Sequence, residues 1–181
     1  MIVANKKRKE NIAEYLLYMW QVEDLIRASN FDMNIIRKQV VDRYDQPDDV
    51  KEEIARWYEE LIHMMLTEGV KEEGHIQLNK NVIIELTDLH ARLMHSPKEM
   101  LYGAAYYKTL PYIVELRSKT PGKEVPELET CFSAVYGYIL LRMQQKPVSD
   151  ETLDAMKQIS SFLAILSEKY KQEKAGELEL E

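Results

Sequence analysis

The chain has 181 residues, with 24 Lys and Arg against 31 Asp and Glu, for a formal net charge of -7. Hydrophobic residues make up 45%, while Gly and Pro number 6 each, which excludes low-complexity, collagenous and disordered classes and disfavours an all-β fold rich in turns. The acidic balance argues against a chain-wide attraction to nucleic acid or anionic lipid, so no nucleic-acid partner is expected.

A single cysteine, Cys131, allows no internal disulfide and fits a reducing cytosol. The cationic start, Lys6 to Lys9, resembles that of a signal peptide, but Glu10, Asn11 and Glu14 interrupt the apolar region that would have to follow. The longest apolar runs, 15–20 and 135–141, fall well short of the roughly 20 residues of a membrane span. A cytoplasmic protein without membrane association is the expectation.

In chain order, Asn5 is positioned to cap a first helix reaching about Ser29, apolar at Ile12, Leu16, Met19, Val22 and Ile26, with Leu17, Trp20 and Leu25 on its other faces. Asp32 caps a short second helix to about Tyr44. After the turn at Gln46–Asp49, a third helix carries Val50, Ile54, Trp57, Leu61 and Met64 at 4-3-4-3 spacing. A fourth carries Val82, Leu86, Leu89 and Leu93 and ends near His95. Ser96, Pro97 and Glu99 form a capping-box pattern that predicts a fifth helix from Pro97 to about Ser118, kinked at Pro111.

Thr120–Lys123 reads as a loop. Pro126 opens a sixth helix lasting to about Gln145, and Ser149 or Asp150 caps a seventh with Met156, Ile159, Leu163, Leu166 and Tyr170 at 3-4-3-4 spacing. Residues 175–181 read as a frayed acidic tail. The expectation is an all-α, single-domain bundle of six or seven helices over residues 1–174.

The segment Lys7–Ala28, KRKENIAEYLLYMWQVEDLIRA, resembles the opening of a bacterial family of helical cytoplasmic proteins known only as a domain of unknown function. The resemblance implies a bacterial, cytoplasmic, helical protein. It carries over no catalytic residue, because the family has none assigned.

Motifs that would carry chemistry are sparse. Glu60 and His63 have the Glu-x-x-His spacing of di-iron bundles, but on a helical wheel they lie about 100° and 160° from the apolar stripe, which points to a solvated pair. His90 and His95 are separated by about 140° and cannot share an ion. His90 borders its apolar stripe, and His75 falls in a loop. Cys131 reads as a buried, inert thiol. A recognition helix over Asp48–Glu60, with seven acidic residues once Asp45 is counted, would be repelled by phosphate. No metal, cofactor or catalytic residue is assigned.

Three features stand out. Lys6, Lys7, Arg8 and Lys9 oppose the positive end of their own helix dipole, so they form either a solvated end or a docking patch for an acidic surface such as 45–60. Glu23 sits among Leu16, Met19 and Ile26 and needs a partner, for which Arg27 is the local choice; in a cavity it would be the best ligand anchor in the chain. Six of the 11 tyrosines, Tyr102, Tyr106, Tyr107, Tyr112, Tyr136 and Tyr138, surround small residues on the fifth and sixth helices. They suit a tight helical hairpin or an interface.

The sequence therefore favours a non-enzymatic, self-associating protein, a homodimer. The alternative is a ligand-binding or enzymatic bundle with a tyrosine-lined pocket between helices one, five and six. The candidate ligand-binding or interface residues are Glu23, Arg27, His90, Tyr102, Tyr106, Tyr107 and Tyr136, and the small-molecule ligand of the alternative is unspecified.

Overall fold

Asn11 divides the first predicted helix in two. In the computed structural model, which describes residues 2–119 and 125–181, α1 covers Ile2–Glu10 and α2 covers Ile12–Ala28. Asn5, expected as a cap, lies inside α1. The cap is instead Asn11, whose Oδ1 accepts a hydrogen bond from Ala13 N at 3.0 Å, a side-chain alternative to the helical ladder. This division gives eight α-helices among the described residues, one more than the highest expected count, and no strand.

The remaining helices are α3 (Met33–Gln39), α4 (Asp48–Thr67), α5 (Gln77–His95), α6 (Met100–Ser118), α7 (Glu127–Met143) and α8 (Asp150–Lys174). Asp32 caps α3 as expected, accepting from Asn34 N at 2.8 Å, but α3 stops at Gln39 and a 3-10 turn follows at Val41–Arg43. Ser149 caps α8 through Thr152 N. The loop read at Thr120–Lys123 lies outside the described residues.

The fifth predicted helix starts later than its sequence suggests. Ser96 Oγ accepts from Lys98 N and donates to the Leu180 carbonyl at 2.7 Å. Glu99 does not close a capping box; its nearly buried carboxylate binds Lys169 Nζ at 2.6 Å. Helix α6 thus begins at Met100 and continues through Pro111.

The chain divides into two compact units, Met1–Glu10 with Glu14–Val82, and Asn11–Ala13 with Ile83–Glu181. In the first, α4 buries Ile54, Ala55, Tyr58, Leu61 and Met65, a stripe turned toward Tyr58 and away from the expected Trp57 and Met64. In the second, α6, α7 and α8 pack pairwise. Met156, Ile159, Leu163, Leu166 and Tyr170 of α8 are all buried, as their spacing predicts. No helix among the described residues is long and apolar enough to cross a membrane.

Candidate functional site

The first unit contains a fully buried carboxylate. Glu23 on α2 is 0% exposed, and its Oε1 accepts from Ile76 N at 2.9 Å and from Asn79 Nδ2 at 2.8 Å. Its Oε2 lies 2.5 Å from Nδ1 of His75. Two donors on one oxygen favour the ionised carboxylate, so the ring nitrogen facing it carries a proton. The imidazole stacks flat on Trp20, with centroids 4.1 Å apart and planes 8° apart.

Arg27 is not the partner of Glu23. It pairs with Asp24 at 2.9 Å and donates to the carbonyls of Val70, at 3.1 Å, and Gly74. Spacing explains the exchange: residues three apart are helical neighbours just as those four apart are, and Asp24 is on the more exposed side. Glu23 and Arg27 together fasten the segment between α4 and α5, each through different atoms of it. Glu68 completes this arrangement by accepting from Gln77 N at the start of α5.

The second unit holds His90, Tyr102 and Tyr106. His90 Nδ1 is 2.6 Å from the Tyr102 hydroxyl, and the rings of Tyr106 and Phe162 lie 4.8 and 6.0 Å from the imidazole. Burial lowers the His90 pKa against the opposing pull of Glu127 and raises that of Tyr102. A neutral imidazole accepting from the Tyr102 hydroxyl satisfies both shifts. The Tyr106 hydroxyl donates to Glu127 at 2.6 Å; its pKa rises through burial and then through that carboxylate. Burial pushes the Cys131 thiol up to about 12, consistent with an inert side chain.

Of the residues singled out from sequence, His90, Tyr102 and Tyr106 are brought together, whereas Glu23 and Arg27 belong to the other unit. Tyr107 touches Tyr106 but is 63% exposed, and Tyr136 on α7 is half-buried. Lys7 pairs with Glu14 at 2.8 Å and Arg8 covers the Tyr15 ring, while Lys6 and Lys9 are exposed. On the acidic 45–60 segment, Glu52 is engaged by Arg37. Glu60 and His63 are both exposed, and His95 binds its own helix at the Ala91 carbonyl.

Sequence reasoning missed His75 and Asn79. Asn79 had a signal: it continues the α5 stripe Val82, Leu86, Leu89, Leu93 backwards by three residues, where a polar side chain must find a partner. His75 had none, because its partner is 52 residues away. Among the described residues no group of three His, Cys, Asp or Glu side chains could hold a metal.

The outer surface of α6 is the third feature. Buried Tyr102, Thr109 and Ile113 mark its inner face, and Met100, Ala104, Tyr107, Pro111 and Val114 are exposed on the opposite one. Beside α6, an open apolar groove of about 450 Å³ runs along α7, lined by Leu116, Ala134, Gly137, Leu140, Leu141 and Met156 among others.

These features define an all-helical protein with buried polar clusters and an apolar helix face left outside. The chain belongs to the family described as Domain of unknown function (DUF4924), whose model matches residues 1–177. No curated protein matches the chain. No solved structure matches it either.

Proposed function

We propose that this is a non-enzymatic, self-associating protein, working as a homodimer in an interaction role. The observation that carries this reading is the outer face of α6, where Met100, Leu101, Tyr107 and Val114 are 78%, 87%, 63% and 58% exposed. Large apolar side chains clustered on one solvent face mark an interaction site, whereas single ones are ordinary. The polar clusters support the non-enzymatic part. Glu23 has both carboxylate oxygens occupied by protein donors, and half-buried His90 has its Nδ1 engaged by the Tyr102 hydroxyl, with the Tyr106 and Phe162 rings beside it. A bend imposed by Pro111 would shape the same α6 face.

The reading extends to a bacterial cytoplasm, supported by the resemblance of Lys7–Ala28 and by the lone, buried Cys131. It takes residues 1–174 as one working domain. The basic run Lys6–Lys9 is read as a secondary docking patch for an acidic surface, because Lys6 and Lys9 stay exposed.

Light scattering on the full chain after size exclusion tests the reading. A mass twice 21.3 kDa supports it, and a clean monomer at high micromolar concentration contradicts it.

A second reading, small-ligand binding, is favoured by the α7 groove. Saturable fluorescence enhancement of anilinonaphthalene sulfonate that Gly137→Leu abolishes would support it. Enhancement unchanged by that variant would count against it.

A further inference from the structure

The exposed residues of α6 have a periodicity of their own. Met100, Ala104, Tyr107, Pro111 and Val114 follow one another at 4-3-4-3, the spacing of a two-helix seam, directly opposite the buried face of the same helix. A helix needs only one such stripe to pack into its own unit. The second stripe is repeated over two heptads and presents a surface that another helix fits.

The flank of this seam carries a charge pattern that selects the occupant. Lys108 and Glu115 are exposed and lie one heptad apart, about 80° and 60° round from the middle of the seam on the same side. Among the described residues, Lys108 pairs with no acidic group, and Glu115 pairs only with Lys119, the residue that follows α6.

When two helices pair antiparallel, each flank meets the same flank of its partner, with residues before the centre facing residues after it. With the centre near Pro111, Lys108 of each copy faces Glu115 of the other, and the pair forms twice. Parallel pairing would instead bring Lys108 to the opposite flank, where Gly103 and Leu110 carry no charge. The surface is therefore self-complementary in one orientation, as an isologous two-fold interface requires.

Resting on the self-association reading, we propose that α6 docks antiparallel on α6 of a second copy of this chain, about a two-fold axis near Pro111, with reciprocal Lys108–Glu115 ion pairs beside an apolar seam.

Sedimentation equilibrium of the full chain tests this with Lys108→Glu, Glu115→Lys and the combined variant. Circular dichroism confirms that each remains helical. Each single swap turns two attractive pairs into two repulsive ones, so its dimer Kd should rise roughly tenfold. The combined variant restores both pairs with reversed sign and should return the Kd close to that of the parent. Tyr107→Glu, which puts a charge in the seam itself, should abolish the dimer.

If the parent is dimeric but neither single swap nor Tyr107→Glu weakens it, the α6 interface is overturned while self-association stands. If both swaps weaken it and their combination does not restore it, the antiparallel arrangement is overturned. A parent chain that remains monomeric overturns both proposals.

Discussion

The carboxylate of Glu23 and the imidazole of His75 meet 2.5 Å apart, joining the middle of α2 to the residue that precedes α5 by two positions. The carboxylate is fully buried, and the ring is held flat against Trp20. An ionised group so placed is tolerable only while its donors remain.

Removing that acceptor should therefore be costly. Glu23→Ala leaves the Ile76 amide, the Asn79 amide and the His75 ring without their shared partner, and should lower stability by about 3 kcal/mol. Glu23→Gln keeps an oxygen for Ile76 and Asn79, and its amide can donate to Nδ1 once the imidazole takes its other tautomer. Its loss should be about 1 kcal/mol. Urea unfolding of the two variants checks the order; equal losses would show that the carboxylate is not the centre of the cluster.

His90 should make the protein less stable in mild acid. Its folded pKa is lowered by burial below the ordinary histidine value of about 6.5, with Glu127 opposing. Its neutral form is therefore the one that folds best: the contribution is fully present above the unfolded value and is lost as pH falls through the lower, folded one. Between about pH 7 and about pH 5, the parent should lose more stability than His90→Gln. Parallel pH profiles would contradict the half-buried, neutral imidazole.

Two helical glycines are not there for lack of room. A Cβ at Gly103 or at Gly137 meets nothing within 4 Å, and neither residue has a positive φ. Gly103→Ala and Gly137→Ala should each stabilise the folded chain, by about 0.5–1 kcal/mol, through lower unfolded-chain entropy and better helix propensity. Thermal melts provide the check, and a lowered Tm for either would reveal an unrecognised constraint at that position.

The start of α6 depends on Glu99, whose carboxylate pairs with Lys169 of α8. Lys169→Met should cost about 2 kcal/mol by leaving a nearly buried carboxylate unpaired, and adding Glu99→Gln should recover part of the loss. A double-mutant cycle on chemical unfolding measures this, and strict additivity would deny the coupling.

Local pattern accounts for much of the architecture. The α8 stripe from Met156 to Tyr170, the cap at Ser149 and the cap at Asp32 are each decided within a few residues, and the fold follows them. The departures come from competition that local pattern does not weigh. Asn11 is consistent with a helix interior on periodicity alone, but its side chain accepts from Ala13 N and splits the helix. Glu99 has the spacing to reach back to Ser96, yet Lys169, 70 residues away in sequence, takes its carboxylate. The same holds for the clusters. Glu23 is recognisable as a polar residue on an apolar face, and Arg27 is a sound local partner for it. Only the tertiary fold brings up His75 and Asn79, and leaves Arg27 to Asp24 and the Val70 and Gly74 carbonyls.

The antiparallel pairing of α6 is tested most directly by the distance between two copies of one labelled position. Leu101 is 87% exposed and lies ten residues before Pro111. A spin label at Leu101→Cys, in a Cys131→Ser background, gives one label per protomer. Antiparallel pairing about Pro111 separates the labels along the helix axis by about 30 Å, at a rise of about 1.5 Å per residue, whereas parallel pairing leaves them about 10 Å apart, the interaxial distance. Pulsed dipolar spectroscopy should return a single intermolecular distance of about 30 Å. A short distance, or no intermolecular coupling at high micromolar concentration, would contradict the account.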